Sequence, residues 1–251
     1  MAITTFYLVL EDPNLGSFMA CGFFFNPCER DFGDAPDGLP TGYAQIPNGL
    51  TGIIPAEIGN FPTLRENNGA RVAVVDKVWL GETPGSREID AIDPNDPDGK
   101  PNLQDPMSNL DSDDHITSGP CLPGNFCPVV VVRSSESRIL YVNVLVDINL
   151  DGRWGGNDNS QGDSEWVIKN ELVNIQSSSP ISIVPFPNLV NIENVWTRIV
   201  VSDQKIDSSD WDGTGLFTVG EVEDHFINFS SSDPPEIPGG DIPGRCGLIE
   251  C

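Results

Sequence analysis

Residues 141–154 read YVNVLVDINLDGRW, a β-branched run that leads directly into a loop of oxygen-bearing side chains. Valine occupies every second position from Val142 to Val146, which is the period of a β-strand. β-branched residues favour the pleated and buried environment of a sheet. The run therefore predicts a core strand.

The loop that follows this strand has the spacing of a calcium-binding loop. Asp147, Asn149 and Asp151 stand at alternate positions, and Gly152 follows them. Oxygens of alternate residues converge when the backbone curls, and the glycine permits the sharp turn. DxNxDG is the first half of an EF-hand-type loop, in which Asp158 holds the twelfth position. No helix former flanks it, so the pattern predicts calcium on a β scaffold; the alternative is an Asp/Asn-rich turn that caps a strand.

The composition extends the β prediction to the whole chain. The 251 residues include 25 Gly and 22 Pro, which implies many turns, and no stretch keeps the apolar spacing of an amphipathic helix. We therefore expect an all-β fold, a jelly-roll-like β-sandwich with long acidic loops rich in Gly and Pro. The sequence divides into an apolar arm at 1–28, the sandwich at 29–229, and a tail rich in Pro and Gly at 230–251.

Apolar runs place the strands within this sandwich. Residues 69–81 predict one strand that ends near a glycine. Residues 129–133 and 139–148 predict an antiparallel hairpin, because the turn SSES lies between them. The remaining runs predict strands, in chain order, at 165–168, 172–175, 181–187, 195–202 and 222–229.

The charge balance is strongly acidic, with 13 Lys and Arg against 38 Asp and Glu and a formal net charge of −25. Nucleic acid is excluded as a partner, because its phosphates require clustered cations. An anionic membrane surface is disfavoured for the same reason. The apolar run near the N-terminus is too short to cross a bilayer, so we expect no membrane insertion.

Acidic clusters among Pro, Asn and Gly indicate further cation sites. Residues 82–120 have no hydrophobic face, so they are either solvated or ordered by cations that cancel their repulsion. Three residues are alternatives for completing the coordination in the first loop: Asp158, Asp163 and Glu165. The candidates for a second site are Asp31, Asp34, Asp90, Asp96, Asp98, Asp111, Asp113, Asp114, Glu221, Glu223 and Asp224. We expect more than one calcium ion.

The cysteines indicate an oxidising environment. Six of them occur in three close pairs: Cys21 and Cys28, Cys121 and Cys127, Cys246 and Cys251. None has the CxxC spacing of a zinc site, and the chain has only two histidines. The even number and the loop context favour disulfides and an extracellular location. Sequence neighbours need not be partners, so the connectivity stays open.

The apolar N-terminal arm needs a surface to cover it. ITTFYLVL and GSFMACGFFFNP, both within 1–28, predict two strands that are too hydrophobic to remain exposed. The arm belongs either to the domain's own sheet or, as a donated strand, to the sheet of a neighbouring subunit. Donation repeated from subunit to subunit would build an open homopolymer.

Several motifs in a fixed order resemble the GEVED domain family. DFGDAPD at 31–37, GARVAV at 69–74, WLG at 79–81, EIDAIDPNDPDGKPN at 88–102 and SDDHI at 112–116 are similar to its first half. VLVDINLDGRW, GDSEWV, WTRIVVSD and GEVEDHF, the last at 220–226, are similar to its second half. The resemblance implies a secreted bacterial or archaeal β-sandwich, often a module of surface proteins, whose acidic motifs bind calcium.

The motifs do not indicate catalysis. The chain has no nucleophile elbow, no phosphate loop and no paired His and Cys, and its acids lie in polar loops rather than in the apolar setting of a catalytic acid. We expect a non-enzymatic, calcium-stabilised extracellular subunit that assembles into a cell-surface or secreted fibre by strand addition. The alternative is a calcium-dependent adhesin or glycan-binding module, whose exposed tryptophans would stack on a surface glycan.

Overall fold

The structure, a computed structural model, describes residues 5–12, 16–23, 30–43, 55–81, 84–85, 90–91, 116–120, 126–155, 164–176, 181–185 and 194–227. These residues form fourteen strands and one short 3-10 helix, Arg65–Asn67. The all-β prediction is confirmed. The strands are β1 (Thr5–Asp12), β2 (Gly16–Phe23), β3 (Asp31–Phe32), β4 (Asp37–Pro40), β5 (Ile58–Asn60), β6 (Arg71–Val74), β7 (Val78–Leu80), β8 (Ile116–Pro120), β9 (Phe126–Ser134), β10 (Arg138–Val146), β11 (Trp166–Ile175), β12 (Ile181–Pro185), β13 (Val195–Ser202) and β14 (Leu216–Ile227).

Two larger sheets carry the fold. One has six strands in the order β11-β10-β13-β14-β6-β3, and all of its pairs are antiparallel except β14–β6, which is parallel. In the other sheet β9 is central, because it pairs antiparallel with β12, β7 and β8. β4 and β5 form a separate two-stranded ribbon.

One hydrophobic core contains side chains from both larger sheets. Alternate residues of β10 are fully buried in it: Leu140, Val142, Val144 and Val146. The strands β7 and β9 of the other sheet contribute four more: Val78, Leu80, Val130 and Val132. The alternation of valines in the sequence of β10 is therefore the period of this buried face.

The opposite face of the six-stranded sheet is covered by an aromatic cluster. Every residue of β13 is buried, as expected for a strand that is covered on both faces. The large aromatic residues of this second cluster are Tyr43, Phe61, Trp154, Trp166, Trp196, Trp211 and Phe217. Residues 147–153, the loop predicted to bind calcium, lead from β10 directly to Trp154 in this cluster.

The predicted hairpin of β9 and β10 is wrong, because these strands belong to different sheets. The turn between them is hydrogen-bonded to the residue before β7: the Ser135 N–H and the Ser134 hydroxyl donate to Lys77 O at 3.1 and 3.0 Å, respectively. The chain therefore crosses from one sheet to the other at this turn. Apolar alternation requires only that each strand bury one face. Two strands can bury their apolar faces either by pairing in one sheet or by packing against each other from two different sheets. The alternation in the sequence is the same in both cases, so it does not distinguish them.

Other strand predictions differ in extent. The single strand predicted at 69–81 is two strands, β6 and β7, which a bend at Asp76 separates into different sheets. The strands predicted at 165–168 and 172–175 are one strand, β11, whose register is irregular near Asn170. Asn170 has a φ of 51°, and its side chain donates to Ile206 O (3.0 Å) and accepts the Ile206 N–H (2.7 Å). The two predicted strands are therefore joined into one strand, which contains a local irregularity in register near Asn170. The closing strand β14 also begins before its predicted start.

The apolar arm forms a hairpin in the structure. β1 pairs antiparallel with β2 from Thr5↔Phe23 to Asp12↔Gly16. Within the described ranges, neither strand is hydrogen-bonded to another sheet.

The tail at 230–251 and the six cysteine side chains lie outside the described residues, so the disulfides stay a prediction. No helix in the described part of the chain is long and apolar enough to span a membrane.

Candidate metal centre

The loop predicted to bind calcium begins where β10 ends. Asp147 directly follows β10, and its backbone N–H donates to Trp196 O on β13 at 3.1 Å. On the other side, the Val146 N–H donates to Glu165 O at 2.9 Å. Glu165 immediately precedes β11, so the neighbouring strands place it beside the loop.

Three carboxylates converge at this position. Ligand oxygens of Asp147, Asp151 and Glu165 lie within 4.8 Å of one another, and no other set of three or more His, Cys, Asp or Glu side chains in the described ranges does so. Asn149 Oδ1 lies beside them, because the Asp151 N–H donates both to it (2.8 Å) and to Asp147 Oδ1 (3.1 Å). The loop therefore gathers four oxygen-bearing side chains, which are the ligands of hard cations. Of the three residues proposed to complete the coordination, Asp158 and Asp163 lie outside the described residues, and Glu165 is at the site.

Gly152 allows the loop to close around Asp147. Its φ is 78°, in the left-handed region that favours glycine. Its N–H donates to Asp147 Oδ2 at 2.9 Å. A Cβ here would lie 2.9 Å from Ala56 Cβ and 3.0 Å from Ile58 O, so the segment that contains these residues packs directly against the loop. Both the conformation and the space therefore require glycine.

Burial raises the pKa of two of the carboxyl groups. Asp147 is fully buried, and desolvation raises its pKa from 3.8 to about 7, against the opposing hydrogen bonds from Tyr43 and Gly152. Burial raises the pKa of Glu165 from 4.5 to about 9, and the charges of Asp147 and Asp151 add to the increase. Ionising these groups is therefore costly unless a positive charge is close.

One oxygen of Glu165 gives independent evidence for a ligand. Glu165 is 2% exposed, and its Oε2 accepts the Gly155 N–H at 3.1 Å. Its Oε1 is buried and has no hydrogen-bond partner among the described residues. Such an unsatisfied buried group costs on the order of 1–3 kcal/mol. The residues present fit a hard divalent cation, which Asp147, Asn149, Asp151 and Glu165 would hold.

The acids of β14 have protein partners instead. Asp224 forms a fully buried ion pair with Arg198, whose Nε donates to Oδ1 at 2.7 Å and whose Nη2 donates to Oδ2 at 2.5 Å. Glu221 Oε1 accepts the Gly85 N–H at 2.7 Å, and Glu221 Oε2 accepts the Leu80 N–H. These two carboxylates connect β14 to its neighbours.

The other second-site candidates do not gather into one group in the described part of the chain. Asp31 Oδ2 accepts a backbone N–H of β14 at 2.7 Å, and Asp90 Oδ1 accepts the Arg65 N–H at 2.8 Å. Asp34 and Glu223 are buried. The remaining candidates lie outside the described residues: Asp96, Asp98, Asp111, Asp113 and Asp114. A second calcium site stays a prediction.

Two residues around the loop were not predicted from the sequence. Tyr43 donates its hydroxyl to Asp147 Oδ2 at 2.6 Å, although it lies in a segment rich in Pro and Gly that gives no local signal. The guanidinium carbon, Cζ, of Arg198 lies 4.2 Å from the centroid of the Trp154 ring. A signal for Arg198 exists: a lone charge within the apolar run VWTRIVVS must find a buried partner.

The tryptophans beside the loop are buried. Trp154, Trp166, Trp196 and Trp211 are each at most 4% exposed. They pack on aromatic neighbours, for example with 4.5 Å between the ring centroids of Phe61 and Trp154. Their faces are therefore not available for stacking on a glycan, which was the arrangement expected of a glycan-binding module.

Comparison of the chain with family models, with characterised proteins and with solved structures gives no match. The resemblance to the GEVED domain family therefore stays a prediction, and the functional proposal rests on the geometry of the site.

Proposed function

We propose that this chain is a non-enzymatic, calcium-stabilised structural module in which the ion clamps the loop at 147–153. One observation carries the proposal. The carboxylates of Asp147, Asp151 and Glu165 converge in a largely buried position, where Glu165 Oε1 has no partner among the described residues. Calcium takes six to eight oxygen ligands in a flexible geometry, whereas magnesium retains its waters. Three oxygen-bearing side chains of the loop, together with Glu165, therefore suit calcium better.

The cation would stabilise the folded state by cancelling the repulsion of three close carboxylates. The unfolded chain has no preformed site, so the free energy of binding adds to the free energy of folding. The loop also holds a remote segment, since the N–H groups of Ala56 and Asn60 donate to Leu150 O (2.8 Å) and Gly152 O (2.6 Å). A clamp at this loop therefore connects β10, the start of β11 and residues 55–60.

A structural role is better supported here than a catalytic one. A raised carboxyl pKa is also typical of catalytic acids. However, Asp147 is fully buried and Glu165 is 2% exposed, so a substrate has little access to either carboxyl group. A small ion can be enclosed at such a position as the loop closes.

Calorimetric titration of the metal-free, full-length protein with calcium tests the proposal. We expect one saturable site at the loop, and we expect Asp147→Asn and Glu165→Gln to weaken binding by at least the 10–100-fold seen when a supporting residue of a metal site is lost. Asp210→Asn is the matched control, because Asp210 is an exposed acid outside the loop. Equal binding by the wild type and the Glu165→Gln variant would show that the ion does not bind here.

Self-association into an extracellular homopolymer is the second part of the proposal. The apolar β1–β2 hairpin pairs only with itself in the described part of the chain, and an apolar arm is suited to addition onto another subunit. Electron microscopy of the full-length protein and of a variant that lacks residues 1–28 tests it. We expect filaments from the full-length protein and soluble monomers from the shortened one. Filaments of normal length without the arm would rule out assembly by strand donation.

A further inference from the structure

A hydroxyl group from outside the loop touches the proposed metal centre. Tyr43 Oη donates to Asp147 Oδ2 at 2.6 Å, and the same oxygen accepts the Gly152 N–H at 2.9 Å. The other oxygen, Oδ1, accepts the Asp151 N–H, which Asn149 Oδ1 also accepts. Two donors at Oδ2 therefore set the rotation of the carboxylate, with Oδ1 beside the other oxygen-bearing groups.

Tyr43 is itself held in a defined position. It is 8% exposed, and its ring stacks on Phe226 with 5.9 Å between the centroids. Its hydroxyl accepts the backbone N–H of Trp196 at 3.4 Å, and its own backbone N–H donates to Thr41 Oγ1 at 3.3 Å. A phenol fixed at its ring, hydroxyl and backbone can orient the carboxylate that it contacts.

The segment that carries Tyr43 is docked on the loop through the backbone. Thr41 is joined to residues 56–57, because its N–H donates to Glu57 O (3.0 Å) and its hydroxyl donates to Ala56 O (2.6 Å). Ala56 in turn donates its N–H to Leu150 O at 2.8 Å. The position of Tyr43 therefore depends on the same contacts that join residues 41–43 and 55–60 to the loop.

We propose that Tyr43 is a positioning residue of the metal centre, which orients Asp147 for the cation and couples cation binding to the docking of residues 41–43 and 55–60. The inference rests on the proposed calcium site. Partners that hydrogen-bond a metal ligand fix its orientation, and their loss typically weakens metal binding 10–100-fold. Coupling between two equilibria is reciprocal, so an ion that binds better to the docked state also favours docking by the same factor.

Tyr43→Phe tests the positioning role, because it removes the hydroxyl and keeps the ring. In the full-length protein, calorimetric titration should show calcium affinity lowered by about tenfold or more. Tyr141→Phe is the matched control: Tyr141 lies on β10, one residue before Val142, and loses the same atom without changing the loop. Unchanged affinity in Tyr43→Phe, with normal binding by the wild type, would overturn the inference and leave the calcium proposal standing.

Amide hydrogen exchange tests the coupling without relying on the variant. In the wild type, calcium should slow exchange of the Ala56 and Asn60 amides, and the slowing should be smaller in Tyr43→Phe. A tyrosine with a purely structural role would lower stability with and without calcium and leave the slowing unchanged. An exchange rate of these two amides that saturating calcium does not change in the wild type would overturn the coupling. A wild type that binds no calcium would instead contradict the proposed function itself.

Discussion

Asp147 and Asp224 are both buried carboxylates, but they differ in what neutralises them. Asp224 has the Arg198 guanidinium at hydrogen-bond distance on both of its oxygens. Among the described residues, the donors to the Asp147 carboxylate are all neutral, namely the Tyr43 hydroxyl and backbone N–H groups. The charge of Asp224 is therefore balanced by Arg198, whereas no described cation donates a hydrogen bond to Asp147. For this reason we propose the metal centre at Asp147, Asp151 and Glu165 and not at Asp224.

Replacing Arg198 with methionine should strongly destabilise the fold. The substitution leaves the Asp224 carboxylate buried without a counter-charge, which costs about 3–5 kcal/mol. Asp224→Leu in the same chain should restore part of that loss, because an apolar pair avoids the uncompensated charge. Urea unfolding in excess calcium measures both effects.

Arg138→Met is the control for this experiment. Arg138 pairs with the exposed Glu136, and such surface pairs contribute about 0–1 kcal/mol. Equal losses from the Arg198 and Arg138 substitutions would contradict a structural role for the buried pair.

The raised pKa values of Asp147 and Glu165 predict that the stability of the metal-free protein depends on pH. A pKa that is raised on folding means that protonation favours the folded state. The contribution to stability is complete below the ordinary pKa values of 3.8 and 4.5, and it is lost as pH rises through about 7 for Asp147 and about 9 for Glu165. Between about pH 5 and pH 9, the free energy of unfolding should therefore fall, by at most about 1.4 kcal/mol per pH unit and group.

Urea unfolding of the metal-free protein across that range measures the loss. Saturating calcium should make the free energy of unfolding less dependent on pH, because the cation compensates the ionised carboxylates. In the Glu165→Gln variant, the part of the pH dependence that comes from Glu165 should disappear. If the stability of the metal-free wild type rises with pH, and the Glu165→Gln variant shows the same pH dependence, the raised pKa values of Asp147 and Glu165 are contradicted.

Local sequence patterns predicted some elements well and could not predict others. The alternating valines of β10 and the DINLDG turn are encoded within a few neighbouring residues, and both are found where the pattern places them. The partner of β9 depends on which sheet the chain enters after Ser134, and periodicity carries no information about that. Tyr43 reaches Asp147 across 104 positions of sequence, so only the folded chain reveals the contact.

The two larger clusters of buried side chains among the described residues lie one on each face of the six-stranded sheet. The proposed ion lies where β10 leaves this sheet, beside the aromatic cluster and the segment that covers it. With a net charge of −25, the chain gains from any cation that is held at several carboxylates at once. The ion is therefore expected to stabilise the whole sheet and its covering layer, rather than a surface loop alone.

Thermal unfolding of the full-length protein, with a chelator and with saturating calcium, is the sharpest test of a fold that calcium stabilises. At a calcium concentration of about 100 times Kd, linkage adds about 2.7 kcal/mol, which raises Tm by roughly 5–10 °C for a chain of this size. We predict that increase in Tm for the wild type and no increase for Glu165→Gln. An identical Tm with chelator and with calcium would contradict it.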